Sequence, residues 1–169
     1  MTYFELFDIP VQLKVNTANL SRRFFELSKQ FHPDYFATGN KDVQEESLEK
    51  SALLNKAWKT FQSPDATIKY VLQEKGLMEE EEKYQLPPAF LMEVMEINEQ
   101  LMDADDSSVK SGLVSTIEEL QNEIYGPVKE IVEHYQEGHT SEKELLQVKE
   151  YYYKKKYLDR IRRQLAGMA

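Results

Sequence analysis

The chain has 169 residues, 41% of them hydrophobic and 30% charged, with six glycines and six prolines. That composition belongs to a protein rich in regular structure with a core of its own, and it excludes collagenous, low-complexity and membrane-embedded classes. There is no cysteine, which removes disulfides, thiolate nucleophiles and clusters or zinc held by the chain's own sulfurs, and the net charge of -9 argues against general nucleic-acid binding, because phosphate neutralisation needs a basic surface.

Taken in chain order, apolar residues recur at spacings of three and four almost throughout, and no run alternates long enough for a convincing strand. The expected fold is therefore all-α. A short first helix is expected around Tyr3–Leu6, with Phe4 and Phe7 on its apolar side. A second, about Thr17–Phe31, carries Leu20, Phe24, Leu27 and Phe31 as one stripe, and Pro33 stops it. The third spans about Lys41–Phe61, with Leu48, Ala52, Leu54, Trp58 and Phe61 pointing inward. Ser63-Pro64-Asp65 then breaks the chain and opens a fourth helix, about Asp65–Lys75, that Gly76 terminates.

The net charges of residues 1–76, 77–106, 107–139 and 140–169 are 0, -9, -4 and +4. This asymmetry suggests a neutral first unit and a second whose acidic opening and basic closing segments lie against each other. The boundary falls at the Glu79–Glu82 run and Pro87-Pro88, giving a first domain of 1–76, a linker or ordered connector of 77–87, and a three-helix bundle of 88–169. The bundle helices are expected at about Pro88–Asp103, Ser107–Gln136 and Ser141–Ala166. Asp103, Asp105, Asp106 and Ser107 form the first turn, Gly126-Pro127 kinks or breaks the middle helix, and Ser141 with Glu144 makes a capping box. In the last helix Leu145, Val148 and Tyr152 fall out of phase with Leu158, Ile161 and Leu165, which implies supercoiling or a local distortion. The Tyr151–Lys156 stretch there reads either as stacking and phosphate contact or as helix packing with a basic face that pairs with the acidic half of the bundle. Neither a basic leader nor an apolar run long enough to cross a membrane is visible, so a cytoplasmic protein without membrane partner is expected.

His32-Pro33-Asp34 joins the second and third helices. On three residues alone it is either a polar turn or a rigid tip that holds an imidazole and a carboxylate close together in solvent. The surrounding residues resemble the J-domain family: Tyr3-Phe4-Glu5-Leu6-Phe7 at the opening, Leu20, Arg22, Phe24, Leu27 and Phe31 before the tripeptide, then Leu54-Asn55-Lys56-Ala57-Trp58 and Ser63-Pro64. The resemblance implies that His32, Pro33 and Asp34 bind a DnaK-type heat-shock ATPase and stimulate its ATP hydrolysis. It implies also that Arg22, Arg23 and Lys29 steer the approach, with Glu26 weakening a helix that is strongly basic in generic J-domains.

The Tyr-Phe-X-Leu-Phe opening, the His32–Ala37 stretch and Ala89-Phe90-Leu91-Met92-Glu93 together are similar to the HscB family of iron–sulfur cluster co-chaperones, essentially end to end. In that family the C-terminal domain holds a cluster scaffold protein of the IscU type and presents it to a DnaK/HscA-type ATPase, which promotes cluster transfer. Phe90, Val94, Ile97 and Leu101 make an ordinary core stripe, leaving Leu91, Met95, Met102 and Met92 on other sides of the same helix. They are either buried on a second side or offered to a partner. The resemblance carries scaffold binding onto Leu91, Met92 and Met95, the acidic flank Glu96 and Glu99, and Tyr157 on the last helix. Met95 and Tyr157 differ in type from the family's residues. His32, His134 and His139 have no metal-site spacing and no phosphate-cradling glycine loop is present. The expectation is thus a monomeric, non-enzymatic activator with no cofactor. The rival readings are a helical adaptor that has lost ATPase activation, and a J-protein for a different client.

Overall fold

The computed structural model describes residues 1–103 and 107–167, and among them there are helices and no strands. The predicted turn at Asp105 and Asp106 lies outside the described residues. Helix α1 (Tyr3–Phe7) is capped by Thr2 and is pinned by its aromatic residues. The Tyr3 ring stacks on Tyr70 at 4.2 Å, and the Tyr70 hydroxyl accepts from the Tyr3 amide at 3.0 Å. Helices α2 (Thr17–Gln30) and α3 (Lys41–Phe61) form the hairpin, joined through a 3-10 turn at Pro33–Phe36. Phe24, Trp58 and Phe7 stack in sequence, at 4.9 Å and 6.3 Å between ring centres, over the buried Leu27, Leu54, Ala57 and Phe61.

One stripe on α3 is not where the apolar spacing places it. Leu48 and Ala52 face solvent, and the inward positions, one residue earlier in each case, are Ser47 and Ser51. Both serine hydroxyls donate to the Phe31 carbonyl, at 3.0 and 2.8 Å. The groove facing this part of α3 is occupied by the backbone at the end of α2, and an orphan helix-terminal carbonyl wants a donor rather than a leucine.

Helix α4 (Pro64–Glu74) opens with Ser63 as its cap and Pro64 at its first position. Gly76 takes a left-handed φ of 72° beyond its end. Residues 77–87 are then an ordered connector rather than a free linker: Met78 is buried, Leu77 and Leu86 pack on the core, and Tyr84 stacks on Tyr153 at 4.5 Å. Glu80 bonds to Lys69 and Gln73 of α4, at 3.3 and 2.6 Å, and Glu82 meets Lys149 at 2.7 Å.

The second unit comprises α5 (Pro88–Met102), α6 (Ser107–Tyr125), α7 (Lys129–Glu133) and α8 (Glu142–Gly167). Of the two outcomes expected at Gly126-Pro127, the helix breaks. Gly126–Val128 tightens into a 3-10 turn and α7 stops at Glu133 rather than running to Gln136, because Pro127 supplies no amide to continue the ladder. The capping box forms as expected, with Ser141 Oγ accepting from the Glu144 amide at 3.1 Å and Glu144 accepting from the Ser141 amide at 3.0 Å.

The phase slip in α8 resolves without distortion. The buried series is Leu145, Val148, Tyr151, Tyr152, Leu158, Ile161 and Leu165, and Lys155 fills the gap. Its Nζ lies 3.0 Å from Asp65 on α4 and 2.8 Å from Asp159 on its own helix. Mid-helix, α8 packs on α4 as well as on its own bundle, so the stripe needs two faces there. The expected pairing of the acidic opening segment with the basic closing one is made by Glu82 and Lys149, while Lys155 pairs instead with Asp65 of α4 and Asp159 of its own helix. Of the Tyr151–Lys156 stretch, the packing reading holds: Tyr151 and Tyr152 are buried, and Lys154 sits 5.6 Å over the Phe90 ring.

Burial and nearby carboxylates raise Tyr151, Tyr153 and Tyr125 to about 12. Burial alone would lower Lys155, but its hydrogen bonds to Asp159 and Asp65 prevail and raise it. Groups raised on folding hold their proton more tightly in the native state, so their stabilisation is complete below the unfolded values near 10 and is lost as pH climbs through the folded ones. Denaturant unfolding between pH 9 and pH 12 is expected to show stability constant up to about pH 10 and falling steadily towards 12. Unchanged stability at pH 12 would contradict this.

Candidate functional site

Two exposed surfaces stand out, one on each unit. At the hairpin tip the chain leaves α2 at Phe31, whose amide closes the helix on Leu27 at 2.9 Å. His32 caps the 3-10 turn: its Nδ1 accepts from the Asp34 amide at 3.2 Å, and its carbonyl accepts from the Tyr35 amide at 3.1 Å. With Nδ1 used as an acceptor, a neutral imidazole carries its proton on Nε2, which points away from that bond. Asp34 Oδ2 lies 3.5 Å from His32 Nδ1, and the Asp34 side chain is 91% exposed against 52% for His32. The sequence places a carboxylate and an imidazole together in solvent, and the structure does the same. Pro33 fixes φ in the first turn between them.

The backbone after the tip is also held. Gln44 Nε2 donates to the Ala37 and Gly39 carbonyls, at 2.9 and 3.1 Å, and Asn40 caps α3 by accepting from the Val43 amide at 2.9 Å. Gly39 fits where a Cβ would lie 3.2 Å from both the Phe36 carbonyl and Val43.

Of the predicted basic residues, Arg22 and Lys29 are exposed on α2. Arg23 is half-buried and pairs with Glu26 at 3.8 Å, so the acidic intruder partly neutralises that face, though an exposed pair of this kind contributes little stability. Lys29 lines a shallow surface groove with Glu26, Gln30, Tyr35 and Phe36. Sequence reasoning passed over two aromatic side chains here. Phe25 and Tyr35 are both largely exposed, and the available signal was that Phe25 falls off the Leu20–Phe31 stripe.

On the second unit, α5 buries Phe90, Val94, Ile97 and Leu101 as its apolar period predicts. Met92 is 70%, Met95 59% and Met102 83% exposed, so the reading in which this second side is buried in the bundle does not apply to them. Leu91 differs: it is half-buried and packs against the core. Glu96 and Glu99 are exposed beside the methionines. Tyr157 is half-buried, meets Phe90 edge-on at 6.4 Å, and lines a groove of about 700 Å³ with Asn98, Leu101, Met102, Arg160 and Ile161. The structure thus brings Tyr157 to the end of the methionine-bearing helix. The tip residues sit on the other unit, so the two predicted sets form separate surfaces. Among the described residues no group of histidines and carboxylates is arranged to hold a metal ion.

A two-helix hairpin with an exposed His-Pro-Asp tip, followed by a helical C-terminal domain, defines a J-domain protein of the all-helical kind. Residues 86–166 match the family model described as the HSCB C-terminal oligomerisation domain. The co-chaperone protein HscB homologues of Vibrio parahaemolyticus and Vibrio campbellii are each 39% identical over 109 residues, which is 64% of this chain and 64% of theirs. The aligned chain thus spans just under two thirds of the length of these curated relatives. The crystal structure of human co-chaperone protein HscB superposes with a TM-score of 0.81 at 28% identity, covering 98% of this chain and 81% of that one. Chaperone HscB from Vibrio cholerae gives 0.76 at 26% identity, covering 99% and 97%. The chain is thus similar to HscB co-chaperones over nearly its whole length in structure, and its residues 86–166 match the HSCB C-terminal family model.

Because Met92 and Met95 face solvent, their replacement by alanine is expected to leave unfolding free energy within about 0.5 kcal/mol of wild type for each. Phe90→Ala, on the same helix but in the core, is expected to cost about 3–5 kcal/mol. Urea unfolding of the three variants checks this, and a methionine variant as damaged as Phe90→Ala would place the stripe in the core.

Proposed function

We propose that this chain is a non-enzymatic co-chaperone that acts in the cytoplasm. In this reading it recruits an iron–sulfur scaffold protein of the IscU type to a DnaK/HscA-type ATPase and stimulates that ATPase to promote cluster transfer. The observation that carries the reading is the tip: Asp34 offers an almost fully exposed carboxylate on a backbone already hydrogen-bonded into place. A carboxylate so presented can pair with a cation on the partner while little ordering entropy remains to be lost. Arg22 and Lys29, exposed on the adjoining helix, supply the charge that speeds encounter with an acidic chaperone surface. Arg23 is a weaker contributor, being paired with Glu26.

The second surface supplies the cargo side. Exposed methionines are unbranched and polarisable and adapt to irregular partner surfaces. Met92 and Met95, flanked by Glu96 and Glu99 and continued by Tyr157 at the groove, are the residues assigned to scaffold binding, with Leu91 supporting them from its half-buried position. The cluster itself is cargo: this chain has no cysteine to hold it.

The test is steady-state ATP hydrolysis by a DnaK/HscA-type chaperone with this chain, with and without an IscU-type scaffold. Stimulation is expected to rise more than additively with scaffold and to vanish in Asp34→Ala and in His32→Gln, while both variants keep their helical circular dichroism. Leu91→Ala combined with Met92→Ala is expected to weaken scaffold binding by about tenfold or more. Full stimulation by Asp34→Ala would refute the assignment of the tip.

A further inference from the structure

The exposed His32-Pro33-Asp34 tip is held by neighbours that are neither exposed nor apolar. Three polar side chains on one face of α3, at positions 44, 47 and 51, reach across to the loop. Ser47, which is buried, and Ser51 both donate to the Phe31 carbonyl, the acceptor immediately before His32. Gln44 donates to the Ala37 and Gly39 carbonyls, immediately after the 3-10 turn. Every one of these bonds ends on backbone, so none occupies the His32 or Asp34 side chain. The spacing of three and four is one helical face, and it coincides with the stretch where the apolar pattern of α3 lapses and Leu48 turns outward.

We infer that Gln44, Ser47 and Ser51 form a carbonyl clamp that positions the tip for partner binding: α3 fixes the backbone on both sides of the tripeptide and leaves its side chains free. They are positioning residues and touch no partner. The inference rests on the proposed role of the tip in engaging an ATPase. The clamp acts on populations. A tip held in one conformation binds with its intrinsic affinity, whereas a tip that samples several binds with an affinity reduced by the competent fraction, and saturation by the partner restores the maximum. Losing the clamp therefore raises the concentration needed for half-maximal stimulation and leaves the maximal rate in place, unlike removal of Asp34.

The full chain carries three variants for the test. Ser47→Ala with Ser51→Ala removes both donors ahead of the tip, and alanine is a better helix former than serine, so α3 itself is not weakened by propensity. Gln44→Glu is nearly isosteric and replaces the donor amide with a carboxylate facing two carbonyls. Ser51→Thr keeps the hydroxyl. Two readouts are taken: the dependence of chaperone ATPase rate on the concentration of this chain, and amide hydrogen exchange at Tyr35 and Gly39, whose N–H groups bond within the loop.

The double alanine and Gln44→Glu variants are expected to raise the half-maximal concentration by about tenfold, the net worth of one to two hydrogen bonds. Maximal rate and melting temperature stay near wild type, exchange at Tyr35 and Gly39 accelerates, and Ser51→Thr behaves as wild type. Unchanged exchange would show that the clamp does not hold the tip, and faster exchange with unchanged half-maximal concentration would show that holding it does not matter for binding. Either result overturns the inference. Should melting temperature fall in the double variant, the Gln44→Glu variant, altered at the loop rather than in the core, decides between these outcomes. Absence of stimulation by wild type would defeat the ATPase reading instead, and with it the claim that the clamp serves that partner.

Discussion

The arrangement of the molecule depends on the middle of α8, where Tyr151, Tyr152 and Lys155 lie between α4 and the rest of the bundle. A lysine in such a place would be costly if it stood alone, since desolvation penalises the ammonium. Asp65 comes from one unit and Asp159 from the other, and Arg162 shares Asp159 at 2.8 Å while donating to Gln121 on α6 at 2.6 Å. Asp159, on the same helix, stays beside the cation in any arrangement, whereas Asp65 reaches it only when the two units are together. Ion pairs of this kind are weak evidence for net stability, but the inter-unit pair favours one register, because displacing Asp65 leaves Lys155 with only Asp159, which Arg162 already shares. The connector adds Glu82 on Lys149 and Tyr84 on Tyr153, and Lys75, the residue following α4, bonds to Glu137 in the loop after α7. Together these contacts set the hairpin and the bundle in one orientation.

The consequence is a joined frame with two dissimilar surfaces. The hairpin tip is polar and owes its shape to backbone hydrogen bonds, with the His32 and Asp34 side chains left over in solvent. The α5 surface is apolar and owes its exposure to a helix with more hydrophobic residues than its packed face can take. The proposed function, in which one partner is presented to another, would benefit from this division. Under that proposal, binding at the methionine surface would not have to reorganise the tip, and the frame between them would set the distance at which the partners meet. No helix of the described residues is long and apolar enough to cross a membrane.

Much of this was legible in the sequence because the relevant signals are local. Proline, glycine and capping residues mark helix ends: Ser63-Pro64 opens α4, Gly76 follows it, Ser141 and Glu144 box α8, and α3 runs over the residues its periodicity indicates. The His-Pro-Asp tip and the surplus methionines of α5 were visible for the same reason. What was not legible depended on partners distant in sequence. Leu48 and Ala52 face outward because α3 meets the carbonyl of Phe31, which no periodicity in α3 itself can report. The α8 phase slip vanishes once Lys155 is counted as an inward residue, and that requires Asp65, ninety positions earlier. Leu91 was grouped with the methionines by its angle on the helix, but the core reaches far enough round α5 to take half of it.

If the two surfaces are held at one fixed separation, the absence of native cysteine makes that separation directly measurable. Spin labels attached through Tyr35→Cys at the tip and Met92→Cys on α5 report the distance by double electron–electron resonance. A single narrow distribution is expected in the free chain, broadening when Asp65→Asn removes the charge facing Lys155. A broad or two-peaked distribution in the otherwise unaltered chain would contradict the fixed frame, and would mean that the two units move independently before any partner binds.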